Sequence, residues 1–278
     1  MTAVAAKTQV LSADQIQEFH DRGILKVDFG FDPAMLDAIV EKVYPHYPEE
    51  FREGLTPVTR VQDAWKIIDE ARRLAVDKRA TTALEELYGR RALPFQTLNF
   101  PKGTSQMAHS DTIHFSTIPA GYMAGIWVAL EDIDRDNGPL VYYPGSHKLP
   151  FYTMQDLGLE PGYKNYPLYE QRIRELVEEH DFEPEYGLVH KGEAIIWHAN
   201  LLHGGAPQND MQRSRNSQVT HYYFAGCKYY TPMESTPEKT TYRDPVWIPE
   251  QAGSAGSHGP GIGRRIWRRI SRSLGFGS

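Results

Sequence analysis

Two histidines, one carboxylate and one arginine set the chemistry open to this chain. His109 and Asp111 flank a single serine, His203 follows 94 positions after His109, and Arg215 stands 12 beyond His203. In an extended segment side chains two apart share a face, so His109 and Asp111 can grip one ion while Ser110 points away. Neutral imidazoles with one carboxylate suit a ferrous ion, and three ligands on one face leave positions open for other molecules. The pattern therefore predicts an oxidising enzyme built on non-haem iron. The distal histidine follows the strand-like run Ala194-Ile195-Ile196-Trp197, and Arg215 opens another that continues through Tyr222 and Tyr223. Its planar guanidinium matches a carboxylate in bidentate fashion. A His-x-Asp pair is weak by itself, because a chain with 11 histidines yields such pairs by chance.

The surroundings carry more weight. Strand-like Phe95 to Phe100 precedes the pair, and Trp127 to Asp132 follows it. Next come the turn-forming Asn137-Gly138-Pro139-Leu140 and then Pro144-Gly145-Ser146-His147. With His109-Ser110-Asp111, the distal His203 and Arg213-Ser214-Arg215, these fragments resemble, in order and spacing, the phytanoyl-CoA dioxygenase family of iron- and 2-oxoglutarate-dependent oxygenases. The resemblance runs over about residues 10 to 230.

It implies that His109, Asp111 and His203 are the iron ligands and catalytic centre, and that Arg215 binds the distal carboxylate of 2-oxoglutarate. It further implies Trp127 as a wall of the cosubstrate pocket and Asn99 as a polar cosubstrate contact. Phe115 aligns with a substrate-side position, and its neighbours Thr112 and His114 join it as candidate substrate contacts. Fe(II), 2-oxoglutarate and O2 are the implied cofactor and cosubstrates, with succinate and CO2 released. The implied substrate is a small molecule such as a secondary metabolite, a lipid or a lipid-linked compound.

Two positions depart from the family pattern. Relatives place the arginine one residue nearer the histidine, which leaves Arg213 and Arg215 both open; the spacing from the arginine to His221 favours Arg215. A serine that relatives often carry two residues after the distal histidine is Gly205 here. Related halogenases have a small residue at the carboxylate position, so Asp111 argues for hydroxylation. Epimerisation, desaturation or ring closure by the same iron chemistry stay open, as does a metal- or sugar-binding jelly-roll protein with no oxygenase activity.

Elements must bring these residues together. Ser12 predicts the start of a helix ending before Gly23, with a strand over Ile24-Leu25-Lys26-Val27 after it. Asp32-Pro33 reads as an N-cap and first-turn proline for a helix to about Lys42, and helical pattern runs from Asp63 to about Tyr88 in two pieces. From Leu93 strand-like runs dominate, interrupted by a helical insert around Leu168 to His180. The expected fold is mainly β with flanking helices around a double-stranded β-helix, a cupin-like jelly-roll. Residues 1–250 are expected to form one domain, with a lid-like, tyrosine-rich insert near 148–186. His198, Asn200 and His221 are candidates for orienting ligands or touching substrate.

At 278 residues the chain can bury a large core, and its net charge of -6 argues against a general nucleic-acid binder. A lone cysteine, Cys227, excludes an internal disulfide and fits a cytoplasmic setting. Residues 251–278 read as a Gly/Ser-rich linker and a basic amphipathic tail. Within it, residues 262–274 suit peripheral contact with an anionic membrane surface.

Overall fold

The computed structural model describes residues 9–54 and 59–252. Most of the expected linker and the whole basic stretch 262–274 therefore lie outside the described residues.

Helices brace the N-terminal part. α1 (Ala13–Arg22) opens on a capping box in which Ser12 accepts from the Gln15 amide and Gln15 accepts from that of Ser12. It closes at Gly23, whose φ of 75° suits glycine. The chain continues through β1 (Ile24–Asp28), α2 (Pro33–Val43) capped by Asp32, α3 (Glu49–Arg52), β2 (Val61–Gln62), α4 (Asp69–Ala75) and α5 (Lys78–Tyr88). Strands then dominate: β3 (Ala92–Phe100), β4 (Ser116–Ile118), β5 (Met123–Ala129) and β6 (Leu140–Tyr142). After α6 (Tyr166–Glu179) come β7 (Glu185–Tyr186), β8 (Glu193–His198), β9 (His203–Gly205), β10 (Ser217–Phe224) and β11 (Lys228–Tyr230).

A six-stranded antiparallel sheet runs β1-β8-β5-β10-β3-β2, and a three-stranded one runs β7-β6-β9. The large sheet is covered on both faces, which explains why its central strands read as continuous apolar runs. Along β8, Ala194 and Ile196 pack with helical residues such as Leu36, Ile39 and Leu84, whereas Ile195 and Trp197 point to the other side. On β5, Ile126 and Val128 take the helix side and Trp127 and Ala129 the opposite one. Period-two alternation thus separates a helix-facing core from an inner face turned toward the small sheet. The result is the expected jelly-roll with bracing helices. The insert packs Tyr166, Tyr169, Ile173 and Leu176 against Ile113 and Leu202, behind the turn that carries Asp111.

Candidate metal centre

His109 and His203 meet as a single antiparallel pair, each amide donating to the other's carbonyl at 2.9 and 3.0 Å. Their rings lie 4.6 Å apart, centroid to centroid. Each Nδ1 sits beside the carbonyl two residues earlier, Met107 at 3.0 Å and Leu201 at 2.9 Å. A carbonyl can only accept, so the proton belongs on Nδ1 and the Nε2 lone pair is left for a metal. Both Nε2 atoms face Asp111, at 3.7 Å from Oδ1 and 3.9 Å from Oδ2.

Asp111 reaches this face differently from the sequence expectation. The chain is extended at Ser110, then turns at once into a 3-10 segment, Asp111–Ile113, in which the Ser110 side chain accepts from the Thr112 amide. A turn, rather than strand alternation, aims the carboxylate. Ligand atoms of His109, Asp111 and His203 all lie within 4.8 Å of one another, and all three residues are buried.

Two further groups hold the carboxylate. The Trp197 indole N–H donates to Oδ2 at 2.8 Å, and His221 Nε2 lies 3.8 Å from the same oxygen, its Nδ1 meeting Gln96 Oε1 at 2.9 Å. Burial opposes ionisation of Asp111, yet His203, His221, His109 and the Trp197 hydrogen bond together hold it down at about 2. Burial, helped by His203, lowers His109 to about 4. At neutral pH the cluster offers an anionic carboxylate and a neutral His109 imidazole, a donor set that fits a divalent iron ion.

Arg215 lies just ahead of β10, its amide donating to Pro101 O at 2.9 Å. The loop around it is pinned by Glu131, which accepts from the Asn216 amide and side chain and from the Ser214 hydroxyl. The guanidinium is buried between Phe100 and Trp127, 5.7 and 5.6 Å from their ring centroids. Nη1 donates to Ser217 Oγ at 2.9 Å, and Nε has no partner among the described residues. Burial lowers its pKa to about 10, so it stays charged. Trp127 Nε1 is likewise buried without an acceptor among those residues. Two orphaned donors beside one cavity fit a planar oxyanion.

Arg213 behaves otherwise. It is half-exposed at the surface and pairs with both oxygens of Asp134 at 2.8 Å. The two arginines differ because residues 211–213 form a turn and β10 starts only at Ser217, so strand alternation does not relate them.

A cavity of about 1020 Å³, counted out to its mouth, joins the three ligands to Arg215, Trp127, Phe115 and His114. Phe115 lies 5.2 Å from the His221 ring, and His114 stacks on Tyr163 at 5.8 Å. Two expected site residues face elsewhere. Gln96, Leu98 and Phe100 of β3 line the cavity, so alternation turns Asn99 to the helix side, where its amide donates to Gln218 and Gln218 donates to Ala71 O. Thr112 is also turned away; its hydroxyl contacts Ser110 Oγ and Asn200 Oδ1 behind the ligands. Asn200 ties that turn to residues 147 and 149, while His198 stacks on Tyr88 outside the cavity. Gly205 has a local reason: a Cβ there would come within 2.6 Å of Thr104 Oγ1, and Thr104 lines the cavity.

Sequence reasoning missed Trp197, Gln96, Arg60 and Arg243 as wall residues. For Trp197 a signal existed in Gly125, since any Cβ on that β5 position would overlap the indole.

Facing sheets with a buried two-histidine, one-carboxylate cluster at the cavity between them define a jelly-roll protein built around a metal centre. Residues 8–217 match the phytanoyl-CoA dioxygenase (PhyH) family, and the chain belongs to that family. It is 31% identical over 148 residues to the peroxisomal phytanoyl-CoA dioxygenase of Rattus norvegicus, a stretch covering 51% of this chain and 40% of that relative. The matched stretch thus spans well under half the length of that protein. EctD from S. alaskensis, solved with 2-oxoglutarate and 5-hydroxyectoine, has the same fold at a TM-score of 0.63 and 17% identity, covering 92% of this chain and 87% of its own. The epimerase SnoN, solved with Fe3+, alpha ketoglutarate and nogalamycin RO, gives a TM-score of 0.60 at 20% identity, covering 89% and 95%.

Proposed function

We propose that this protein is an Fe(II)- and 2-oxoglutarate-dependent dioxygenase that hydroxylates an unactivated C–H bond of a small molecule. One observation carries the reading: a buried arginine, without a carboxylate partner among the described residues, shares its cavity with a two-histidine, one-carboxylate cluster. A metal-binding jelly-roll of another kind has no need of that arginine. Ferrous iron, when bound, supplies the redox chemistry by which O2 converts 2-oxoglutarate to succinate and CO2 and oxidises the substrate.

The chain's own residues do the rest. His109, Asp111 and His203 hold the metal, and the carbonyls of Met107 and Leu201 keep both imidazoles in the ligating tautomer. Trp197 fixes the rotation of the Asp111 carboxylate. Arg215 takes the distal carboxylate of 2-oxoglutarate, with Ser217 holding the guanidinium in place. Trp127 and Phe100 keep water from that pair, which strengthens it. Phe115, His114 and Tyr163 wall the remaining space and orient the substrate. Epimerisation, desaturation and ring closure differ from hydroxylation only in the fate of the substrate once its C–H bond is oxidised, and product analysis separates them.

The test is anaerobic addition of Fe(II) and 2-oxoglutarate to the wild type and to Asp111→Ala. A weak visible charge-transfer band is expected in the wild type alone, followed by substrate-stimulated succinate release on admitting O2. Absence of the band in the wild type refutes the reading.

A further inference from the structure

The chemistry above uses Arg215 and leaves two other guanidiniums on the same cavity wall, Arg60 and Arg243, without a role. They arrive from separate elements, Arg60 from the residue before β2 and Arg243 from the chain beyond β11. Among the described residues neither Arg243 nor Arg60 has a carboxylate within 4 Å, and Arg60 is partly buried. Burial lowers its pKa. Arg243 is anchored without being neutralised. Its Nη1 donates to Thr231 Oγ1 at 3.3 Å, its guanidinium carbon lies 4.7 Å from the Phe115 ring centroid, and its Nε is buried with no partner among the described residues. Charges withdrawn from water without a counter-ion are costly, which makes such a pair a ready anion site.

Charge balance decides what that anion is. Asp111 is the one carboxylate lining the cavity among the described residues. A divalent cation with Arg215 balances Asp111 with a dicarboxylate, so the catalytic set is neutral by itself. Arg60 and Arg243 are then surplus positive charge facing the space left for substrate. We propose that these two arginines bind an oxyanion of the substrate, a carboxylate or a phosphate, and that the enzyme acts on acidic small molecules. This rests on the proposed oxygenase reading for the word substrate; the anion site itself does not.

The experiment is calorimetric titration of hexanoate, hexyl phosphate and uncharged hexanamide into wild type, Arg60→Gln, Arg243→Gln, the double variant and Arg243→Lys. Each is run on protein loaded anaerobically with Fe(II) and 2-oxoglutarate and again on metal-free protein. At least one anion is expected to bind the wild type, about tenfold more weakly each single glutamine variant, and the double variant not at all, with Arg243→Lys in between. Preference for hexanoate assigns a carboxylate, and preference for hexyl phosphate a phosphate. Hexanamide binding as well as the anions, no anion binding at all, or double-variant affinity within twofold of wild type overturns the proposal. Failure of the charge-transfer band in the wild type would count against the cofactor reading alone, because the metal-free titrations still report the anion site.

Discussion

Trp197→Phe isolates what a single outer hydrogen bond does for the metal centre. The indole N–H donates to Asp111 Oδ2 at 2.8 Å in a fully buried setting, and phenylalanine keeps most of the ring while removing that donor. A hydrogen bond to a charged group contributes about 1.5–3 kcal/mol. Two losses should result. The metal-free protein should lose stability on that scale, read from its urea midpoint. Fe(II) affinity should fall roughly 10–100-fold, the usual cost of removing a partner that orients a ligand. Gly125→Ala provides an independent route to the same state, since its Cβ would lie 2.7 Å from Trp197 Nε1 and crowd the indole off the carboxylate. Fe(II) affinity is measured anaerobically by competition with a chromophoric chelator. An affinity within about threefold of wild type in both variants would refute the claim that Trp197 positions Asp111, even if both proteins were less stable.

Arg215→Ala should raise the KM for 2-oxoglutarate by about 100-fold or more, as expected for one half of a buried charge pair, whereas Arg213→Ala should leave it unchanged because Arg213 pairs with Asp134 at the surface. The reverse order would move the clamp to Arg213. Asn99→Ala should destabilise the fold through its lost hydrogen bond to Gln218 but not change the KM for 2-oxoglutarate; a large KM effect would return Asn99 to the cosubstrate site. Burial lowers His109 to about 4 and His114 and His198 to about 3, from 6.5. Between 6.5 and 4 the unfolded chain takes up protons that these folded imidazoles refuse, so the metal-free protein should lose stability as pH falls through that window. The depressed Asp111 acts below 3.8, outside it. Equal urea midpoints at pH 7, 6 and 5 would disprove the burial of neutral histidines.

Local signals determined a good deal here. Ser12, Gly23 and Asp32-Pro33 fix helix ends within a few residues of themselves: α1 begins and ends, and α2 begins, where those residues dictate. Donor chemistry and spacing were equally legible: His109, Asp111 and His203 do converge, and of the two candidate arginines Arg215 is the buried one. What the tertiary structure alone decided is which way side chains face. Asn99 looked like a cosubstrate contact, but the phase of β3, locked by its register with β10, turns it to the helices. Spacing to His221 favoured Arg215 over Arg213, but it took the folded chain to place one at the surface and the other between Phe100 and Trp127. Trp197 reaching Asp111 across 86 residues, and Arg60 and Arg243 meeting in one cavity, have no trace in neighbouring sequence. Capping and ligand chemistry act over a few bonds and are written in residue type, while facing and convergence depend on the register of strands distant in the chain.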